Sequence, residues 1–216
     1  MSTASLICRL VSDPATGDVN GREILESRAQ TAGPEPCSVL LRTIAGSRTA
    51  ALHATFQEGA YLIASGDLIL LENQPILYCT ILCHATDDQY LNEVTLVGRI
   101  AGDPKVTESG KSVSRSIAVN RYVNKQEETD WFKVRGYGDF MISKLTDIHK
   151  GSLVSAIGCL EQRTNREKQA YCEVKLRSIR VHKSKKDSSD PGANVAAAGY
   201  SRDDFTGMNN MPHDWN

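Results

Sequence analysis

The sequence lacks the features of membrane and secreted proteins. Its most apolar region, residues 61–83, is interrupted by Asp67, Glu72 and Pro75, which is unsuitable for a membrane span. The N-terminus has no basic stretch followed by a long apolar run, so we expect no secretory signal. The six cysteines are scattered and match no small disulfide framework. We therefore expect a reduced, cytoplasmic protein without membrane contact.

The sequence also lacks the residue patterns of common active sites. It has no Ser/His/Asp set, no glycine loop for phosphate, no histidine-rich metal site and no obvious carboxylate cluster. Cys79, Cys83 and His84 suggest a metal at first sight, but zinc prefers two cysteines in a tight turn plus a second pair. Buried structural thiols are the favoured interpretation. We expect no enzyme activity, no cofactor and no metal.

Positive charge is scarce at both ends of the chain. The 216 residues carry a formal net charge of −1. Residues 1–90 contain no lysine and carry −5, residues 91–186 carry +8, and residues 187–216 carry −4. A basic block of this kind is the electrostatic footprint for a polyanion. The middle block is therefore the candidate for nucleic-acid contact.

The first two charge blocks are related by an internal repeat. Three pairs of segments match: 9–14 with 99–104, 59–66 with 151–158, and 78–79 with 171–172. The offsets of 90, 92 and 93 drift slowly, as loop insertions would produce. A period this long indicates tandem domains rather than a solenoid. We place them at residues 1–88 and 89–184, followed by a disordered acidic tail at 185–216.

The second repeat reads as mostly β-structure. We expect strands at 94–100, 116–122, 131–137, 153–162 and 170–182, with Asp103-Pro104 ending the first strand and a hairpin loop at 123–130. Met141, Leu145 and Ile148 fall at helical spacing. Three strands, a helix and two strands is the order of the five-stranded OB barrel. The expected fold is all-β, with two tandem OB-fold barrels, each with a short helix, and a disordered C-terminal tail.

The strand at 131–137 is the most informative stretch. Alternation places Phe132 and Val134 on a core face. The other face carries two aromatic and two cationic side chains: Trp131, Lys133, Arg135 and Tyr137. Rings stack on unpaired bases and cations neutralise phosphates, so this face suits single-stranded nucleic acid. A solvated sheet face with aromatics over apolar surface fits this strand alone about equally well.

Several segments of the second repeat occur in a characteristic order. They are residues 91–100, 103–104, 118–121, 128–134, 150–154 and 171–174. As a set they resemble the bacterial single-stranded DNA-binding protein family, over most of residues 91–182. The resemblance implies an OB barrel that binds single-stranded DNA with little sequence preference, in replication, recombination or repair, at the nucleoid.

The resemblance also implies which residues contact DNA. Trp131 and Tyr137 match stacking aromatics of the third strand, and Tyr122 lies at or beside the aromatic that ends the second strand. The loop between the last two strands grips DNA in the family. The candidate DNA-binding residues are Trp131, Tyr137, Lys133, Arg135, Tyr122, Arg121, Arg115, Lys111, Arg163, Arg166, Lys168 and Tyr171.

The chain departs from the family pattern in the second repeat. Asn165 lies close to the position of a stacking Trp, and Arg115 lies near a position that is usually aromatic or apolar. These two departures do not favour tight wrapping of DNA around several OB units.

The first repeat is a weaker match to the family and is recognisable mainly through its similarity to the second repeat. Its strand 39–45 has Val39 in the place of Trp131 and Ala45 in the place of Tyr137. We interpret this repeat as a degenerate OB unit for packing and oligomerisation, with Arg42 and Arg48 as its candidate phosphate contacts.

Partners follow from the same resemblance. The family's tails end in an acidic run and an apolar tip that docks on partner proteins, and the candidates here are Asp203, Asp204, Phe205, Asp214 and Trp215. We expect a homodimer, which would bring four OB units together. The alternative function is a primosomal or replication accessory protein whose OB surfaces act mainly as protein-interaction adaptors.

Overall fold

The structure is a computed structural model that describes residues 1–123, 126–165 and 167–183. These residues form eleven strands and two helices. In chain order they are β1 (Ser2–Leu10), β2 (Ala15–Val19), β3 (Arg22–Thr31), β4 (Ser38–Ile44), α1 (Arg48–His53), β5 (Tyr61–Leu71), β6 (Gln74–His84), β7 (Asn92–Val106), β8 (Ser112–Val123), β9 (Gln126–Tyr137), α2 (Asp139–Asp147), β10 (Leu153–Thr164) and β11 (Ala170–Lys183).

Hydrogen-bonded pairing closes the strands into two barrels. The first barrel runs β1-β5-β6-β4-β3 and closes through β1–β3, while β2 pairs only with the outer edge of β3. The second runs β7-β8-β9-β11-β10 and closes through β10–β7. In each barrel one pair is parallel, β4–β6 and β9–β11. The predicted all-β fold with two tandem OB barrels and a helix in each is confirmed.

The two barrels share one continuous sheet. β1 pairs with β7 in antiparallel fashion, from Ser2 opposite Leu96 to Leu6 opposite Asn92. The Asn92 side chain reaches further, because its amide donates to the Leu160 carbonyl at 2.9 Å and its oxygen accepts from the Leu160 N–H at 2.9 Å. Asn92 therefore ties the junction strand to β10 of the second barrel.

Equivalent glycines mark the same position in both barrels. A β-bulge interrupts the β5–β6 ladder at Gly66 and the β10–β11 ladder at Gly158. A Cβ atom at Gly66 would lie 1.9 Å from the Tyr78 carbonyl oxygen, and one at Gly158 would lie 2.2 Å from the Lys175 oxygen. The close backbone approach requires glycine at both sites. This explains the predicted match of segments 59–66 and 151–158.

Three expectations about element positions are wrong. Strand β7 continues past Asp103-Pro104 to Val106, because a register shift between Ala101 and Lys105 absorbs the interruption. Most of the expected loop at 123–130 is paired, since β9 begins at Gln126. The match of 78–79 with 171–172 also fails, because Tyr78 and Lys175 occupy the equivalent ladder positions.

The register of the first barrel is also shifted by one residue from the expected one. Arg42 lies opposite Tyr78 in β6, and Arg135 lies opposite Lys175 in β11, so these two arginines are equivalent. By the same register, Ser38 is structurally equivalent to Trp131, and Ile44 is equivalent to Tyr137. The expected equivalents were Val39 and Ala45. Val39 is fully buried, as expected when a one-residue shift moves a side chain to the opposite face.

Candidate nucleic-acid interface

The outer surface of β8 and β9 exposes three aromatic rings. Tyr122 is 77% exposed, Trp131 59% and Tyr137 41%, whereas Phe132 and Val134 between them are buried. Trp131 lies opposite the small Ala118 on β8, so no large neighbour across the ladder covers its ring. We call Tyr122, Trp131 and Tyr137 the aromatic face. The predicted alternation of the strand is thus present in the fold.

Two lysines lie over tyrosine rings beside this face. The Lys133 Nζ lies 4.1 Å from the centroid of the Tyr171 ring, and the Lys175 Nζ lies 5.5 Å from that of Tyr137. β11 brings Tyr171 and Lys175 there because it runs parallel to β9. The surface thus combines aromatic rings with cations, the combination that single-stranded nucleic acid needs.

Arg135 is held by a buried carboxylate. Its Nε donates to Glu173 Oε1 at 2.7 Å, and the Glu173 side chain is fully buried. This hydrogen bond raises the pKa of Arg135. Arg163 approaches the same oxygen through its Nε at 3.4 Å. A single anion is thus hydrogen-bonded to Arg135 and lies within ion-pair distance of Arg163.

Arg163 and Lys175 share a second carboxylate. Arg163 Nη2 lies 2.5 Å from Glu161, and Lys175 Nζ lies 3.0 Å from it. Arg163 also donates to the Tyr137 hydroxyl at 3.1 Å and lies 3.5 Å from Glu35 of the first barrel. The cations beside the aromatic face are therefore largely neutralised within the free protein.

Sequence reasoning missed Glu161, Glu173 and Lys175. The signal was present in part, because alternation along β11 places Tyr171, Glu173 and Lys175 on one face. What the sequence did not indicate was the parallel β9–β11 pairing, which places this face beside Arg135.

Arg115 does not belong to the outer surface. It is only 4% exposed and shares its face of β8 with core residues. Its Nη1 donates to the carbonyls of Leu145, at 2.9 Å, and Ile148, and its Nη2 donates to that of Gly102 at 2.7 Å. The guanidinium thus satisfies carbonyls at the C-terminal end of α2, where a cation is favoured. We therefore leave Arg115 out of the candidate interface.

Arg121 faces the junction of the barrels. It lies 2.5 Å from Glu128 and 2.9 Å from Asp130, on the face of β8 opposite to Tyr122. Burial raises the pKa of Asp130, against the opposing effects of Arg121 and a backbone hydrogen bond from Leu70 of β5. Arg121 is thus engaged with the contact between the β8–β9 hairpin and the first barrel.

The loop after β10 is organised by Asn165. Its side-chain oxygen accepts from the backbone N–H groups of Glu167 at 2.9 Å and Gln169 at 2.8 Å. Asn165 thus shapes a turn at the position where the family resemblance implies a stacking aromatic ring. Lys168 in this loop and Lys111 in the β7–β8 turn are exposed. Arg166 and the tail residues 203–205 and 214–215 lie outside the described residues.

The equivalent surface of the first barrel has no such ring on β4. Its positions are Ser38, Leu40, Arg42 and Ile44, and Arg42 is paired with Glu26 at 2.6 Å. A groove of about 630 Å³ lies between this surface and the β8–β9 hairpin. Its lining includes Arg42, Tyr78 and Tyr122.

The part of the chain that the structure describes contains no group of three or more His, Cys, Asp or Glu side chains placed to hold a metal ion. Within the same residues, no helix is long and apolar enough to cross a membrane.

Fold and surface together define a tandem OB-barrel protein with three exposed aromatic rings on its second barrel. Residues 91–187 match the model of the single-strand binding protein family. The chain is 33% identical over 118 residues to a single-stranded DNA-binding protein of Thermosynechococcus vestitus, covering 51% of this chain and 95% of the relative. It is 36% identical over 95 residues to that of Aquifex aeolicus, covering 40% and 65%.

Both barrels have a counterpart among solved structures. The wild-type single-stranded DNA binding protein from Thermus aquaticus has a TM-score of 0.64 and 19% identity, over 92% of this chain and 97% of that one. This likeness concerns the fold. With the sequence relatives, the conclusion is plain: the chain belongs to the single-strand binding protein family.

Proposed function

We propose that this protein binds single-stranded DNA without strong sequence preference and without catalysis, in replication, recombination or repair. The observation that carries the proposal is the aromatic face, three exposed rings along two paired strands of the second barrel. Stacking on such rings is indifferent to base identity and contributes about 1–3 kcal/mol per base. The names of the relatives support the same ligand.

The cations that border these rings bind the phosphate backbone. Lys133 lies over Tyr171, while Lys111 and Lys168 are exposed in the adjoining turns. Arg135, Arg163 and Lys175 already have carboxylate partners, so a phosphate must compete for them. We therefore expect stacking to contribute more of the affinity than ion pairing, and the salt dependence to be modest for a domain with this charge.

Titration of the full-length chain with oligo-dT at several salt concentrations tests this function. We expect saturable quenching of tryptophan fluorescence, with an affinity that falls as salt rises and persists at high salt. Equal binding to double-stranded DNA of the same length, or no binding at low salt, would contradict it. Intact labelled strand after incubation with magnesium is the expected result for a protein that is not a nuclease.

A second candidate function is a replication accessory adaptor. One observation favours it, namely the partner carboxylates Glu161 and Glu173 among the cations of the surface. An adaptor would bind DNA weakly and independently of Trp131. The affinity of a folded Trp131→Ala variant for oligo-dT distinguishes the two functions.

We also propose a homodimer, in which the first barrel (about residues 1–88) supplies contact surface and the second (about 89–184) binds DNA. Support comes from the exposed apolar side chains of the first barrel, which include Ile44 and Leu71 at 53% each. Light scattering should give about twice the chain mass of 23.7 kDa. A strict monomer that binds oligo-dT tightly would contradict the dimer.

We also place the protein in the cytoplasm, at the nucleoid. The acidic–aromatic segments 203–205 and 214–215 are the proposed docking elements for repair or replication proteins.

A further inference from the structure

Two cysteines from different barrels meet at their side chains. The sulfur atoms of Cys37 and Cys172 lie 3.2 Å apart, although 135 positions separate them in the chain. Cys37 directly precedes β4 in the first barrel and is buried, whereas Cys172 lies on β11 of the second barrel and is partly exposed. Both are free thiols in the structure.

One hydrogen bond crosses the same junction beside the two sulfur atoms, and another fixes the Cys37 backbone within the first barrel. The Ser38 N–H donates to the Gln162 side chain at 3.1 Å, and Gln162 lies directly opposite Cys172 in the β10–β11 ladder. The Cys37 N–H donates to Thr31 Oγ1 at 2.9 Å. The backbone at Cys37 is therefore fixed, and the residue next to Cys37 is hydrogen-bonded to the residue opposite Cys172. The short distance between the two sulfur atoms thus rests on the positions of the strands as well as on the side-chain conformations.

We propose that Cys37 and Cys172 form a redox-active dithiol, which a small-molecule disulfide such as oxidised glutathione converts into a disulfide that covalently joins the two barrels. The partly exposed Cys172 is the attacking thiol and the buried Cys37 is the resolving one. Each OB barrel keeps its fold, because the two sulfur atoms need to approach by only about 1 Å to reach bonding distance.

The exchange proceeds in two balanced steps. The Cys172 thiolate attacks one sulfur of oxidised glutathione, which forms a protein–glutathione mixed disulfide and releases one glutathione thiolate. The Cys37 thiolate then attacks the Cys172 sulfur, which forms the protein disulfide and releases the second thiolate. The protons of the two cysteines end on the two glutathione molecules, so the protein loses two electrons and the glutathione disulfide gains them.

The surroundings set the rate of this exchange. The contact with Cys37 and burial raise the pKa of Cys172 well above its ordinary value. Since the thiolate is the reactive form, the exchange is slow near neutral pH and accelerates as pH rises. The pair therefore reacts slowly with glutathione disulfide near neutral pH and responds to sustained rather than brief oxidation.

The bond would lock the junction without blocking the DNA surface. Cys172 neighbours Tyr171 and Glu173 but points to the other face of β11, towards the first barrel. A link that closes a long loop restricts the unfolded chain and so stabilises the folded state. Oxidation should therefore raise resistance to denaturant and leave oligo-dT affinity unchanged.

The test is oxidation of the folded full-length chain with glutathione disulfide at mildly alkaline pH, followed by thiol blocking, proteolysis and mass spectrometry. We expect three changes: a Cys37–Cys172 linked peptide, a mass for this peptide two hydrogens below the sum of its two free halves, and a higher urea midpoint. Reduction should return the midpoint to its original value. Cys172→Ser should abolish all three changes. Cys83→Ser, which removes an exposed cysteine outside the pair, should retain them.

Two results would overturn the proposal. One is a folded, oxidised chain in which Cys37 and Cys172 both remain open to blocking after unfolding, or carry only glutathione. The other is a linked peptide that forms only when urea is present during oxidation, since this would mean that the native junction does not bring the thiols together.

Discussion

Arg42 of the first barrel and Arg135 of the second occupy the same ladder position, yet they have different surroundings. Arg135 binds the buried Glu173 and lies among aromatic rings and other cations, whereas Arg42 binds Glu26 and the Tyr78 hydroxyl at 3.1 Å. Both barrels therefore have an arginine at this position of the outer surface, but the residues around it differ. This difference supports the proposal that the second barrel, rather than the first, binds DNA.

Glu173 should control the electrostatics of the interface. In Glu173→Gln, Arg135 and Arg163 lose their shared anion, so the surface gains one positive charge. We expect the slope of log affinity for oligo-dT against log salt to steepen by about 0.7, as for one additional phosphate contact. The free energy of unfolding should fall by about 1–3 kcal/mol, because a buried charged hydrogen bond is weakened.

Oligo-dT titrations at four salt concentrations, with urea denaturation in parallel, measure both effects. Glu93→Gln is the matched control, since this exposed carboxylate lies on β7 outside the aromatic face. An unchanged salt slope in Glu173→Gln would mean that this pairing does not restrain the two arginines.

A buried histidine should make the stability of the first barrel depend on pH. His53 is fully buried between the Ser27 hydroxyl at 2.8 Å and the Thr43 hydroxyl at 3.0 Å, and burial lowers its pKa. As pH falls through about 6.5, the unfolded chain takes up the proton before the folded chain does. Stability should therefore be complete above this pH and decrease below it, towards the folded pKa.

Urea midpoints measured at about pH 7.5, 6.5 and 5.5 give this dependence. His53→Gln should flatten it in this range at some cost in stability at neutral pH. His84→Gln, which alters an exposed imidazole packed on Phe56, should retain it. An equal pH dependence in wild type and a folded His53→Gln would contradict this assignment.

The junction of the barrels should depend on Asn92. Removing its side chain in Asn92→Ala leaves the Leu160 N–H and carbonyl without their partner in a buried site. We expect the free energy of unfolding to fall by about 2 kcal/mol or more, since each orphaned polar group costs about 1–3 kcal/mol. The exposed Asn120→Ala should cost about 0.5 kcal/mol or less. A similar loss of unfolding free energy in both variants would show that the two Asn92 hydrogen bonds stabilise the protein no more than an exposed asparagine does.

The sequence indicated much of this structure where local patterns decide it. The alternation of residues 131–137 predicted the core positions Phe132 and Val134 and the exposed rings of Trp131 and Tyr137, because strand geometry alone dictates it. The repeated glycines at 66 and 158 likewise reported a local requirement of the backbone. Both barrels follow from these patterns together with the order of the strands.

The remainder depended on partners distant in sequence. Arg115 and Arg135 both appear as cations on strands, but Arg115 binds carbonyls at the C-terminal end of α2 and Arg135 binds Glu173. Neither partner lies near its arginine in the chain. The one-residue register of β4 and the Cys37–Cys172 contact were hidden for the same reason, since both arise from pairing between strands rather than along one.

The stacking role of the aromatic face is the central claim. Trp131→Ala should weaken oligo-dT binding by about 5- to 150-fold, which corresponds to the loss of one stacked base. The protein should stay folded, since the side chain is 59% exposed and leaves no cavity in the core. Phe140→Ala is the matched control, because its ring on α2 is 75% exposed and lies outside the aromatic face.

The most direct test is the double variant Trp131→Ala/Tyr122→Ala, measured by fluorescence anisotropy of labelled oligo-dT, with circular dichroism to verify the fold. We expect the dissociation constant to rise by about 30-fold or more, from at least about 1 kcal/mol per stacked base, while Phe140→Ala binds like wild type. A folded double variant with wild-type affinity would contradict the stacking surface and favour the adaptor function.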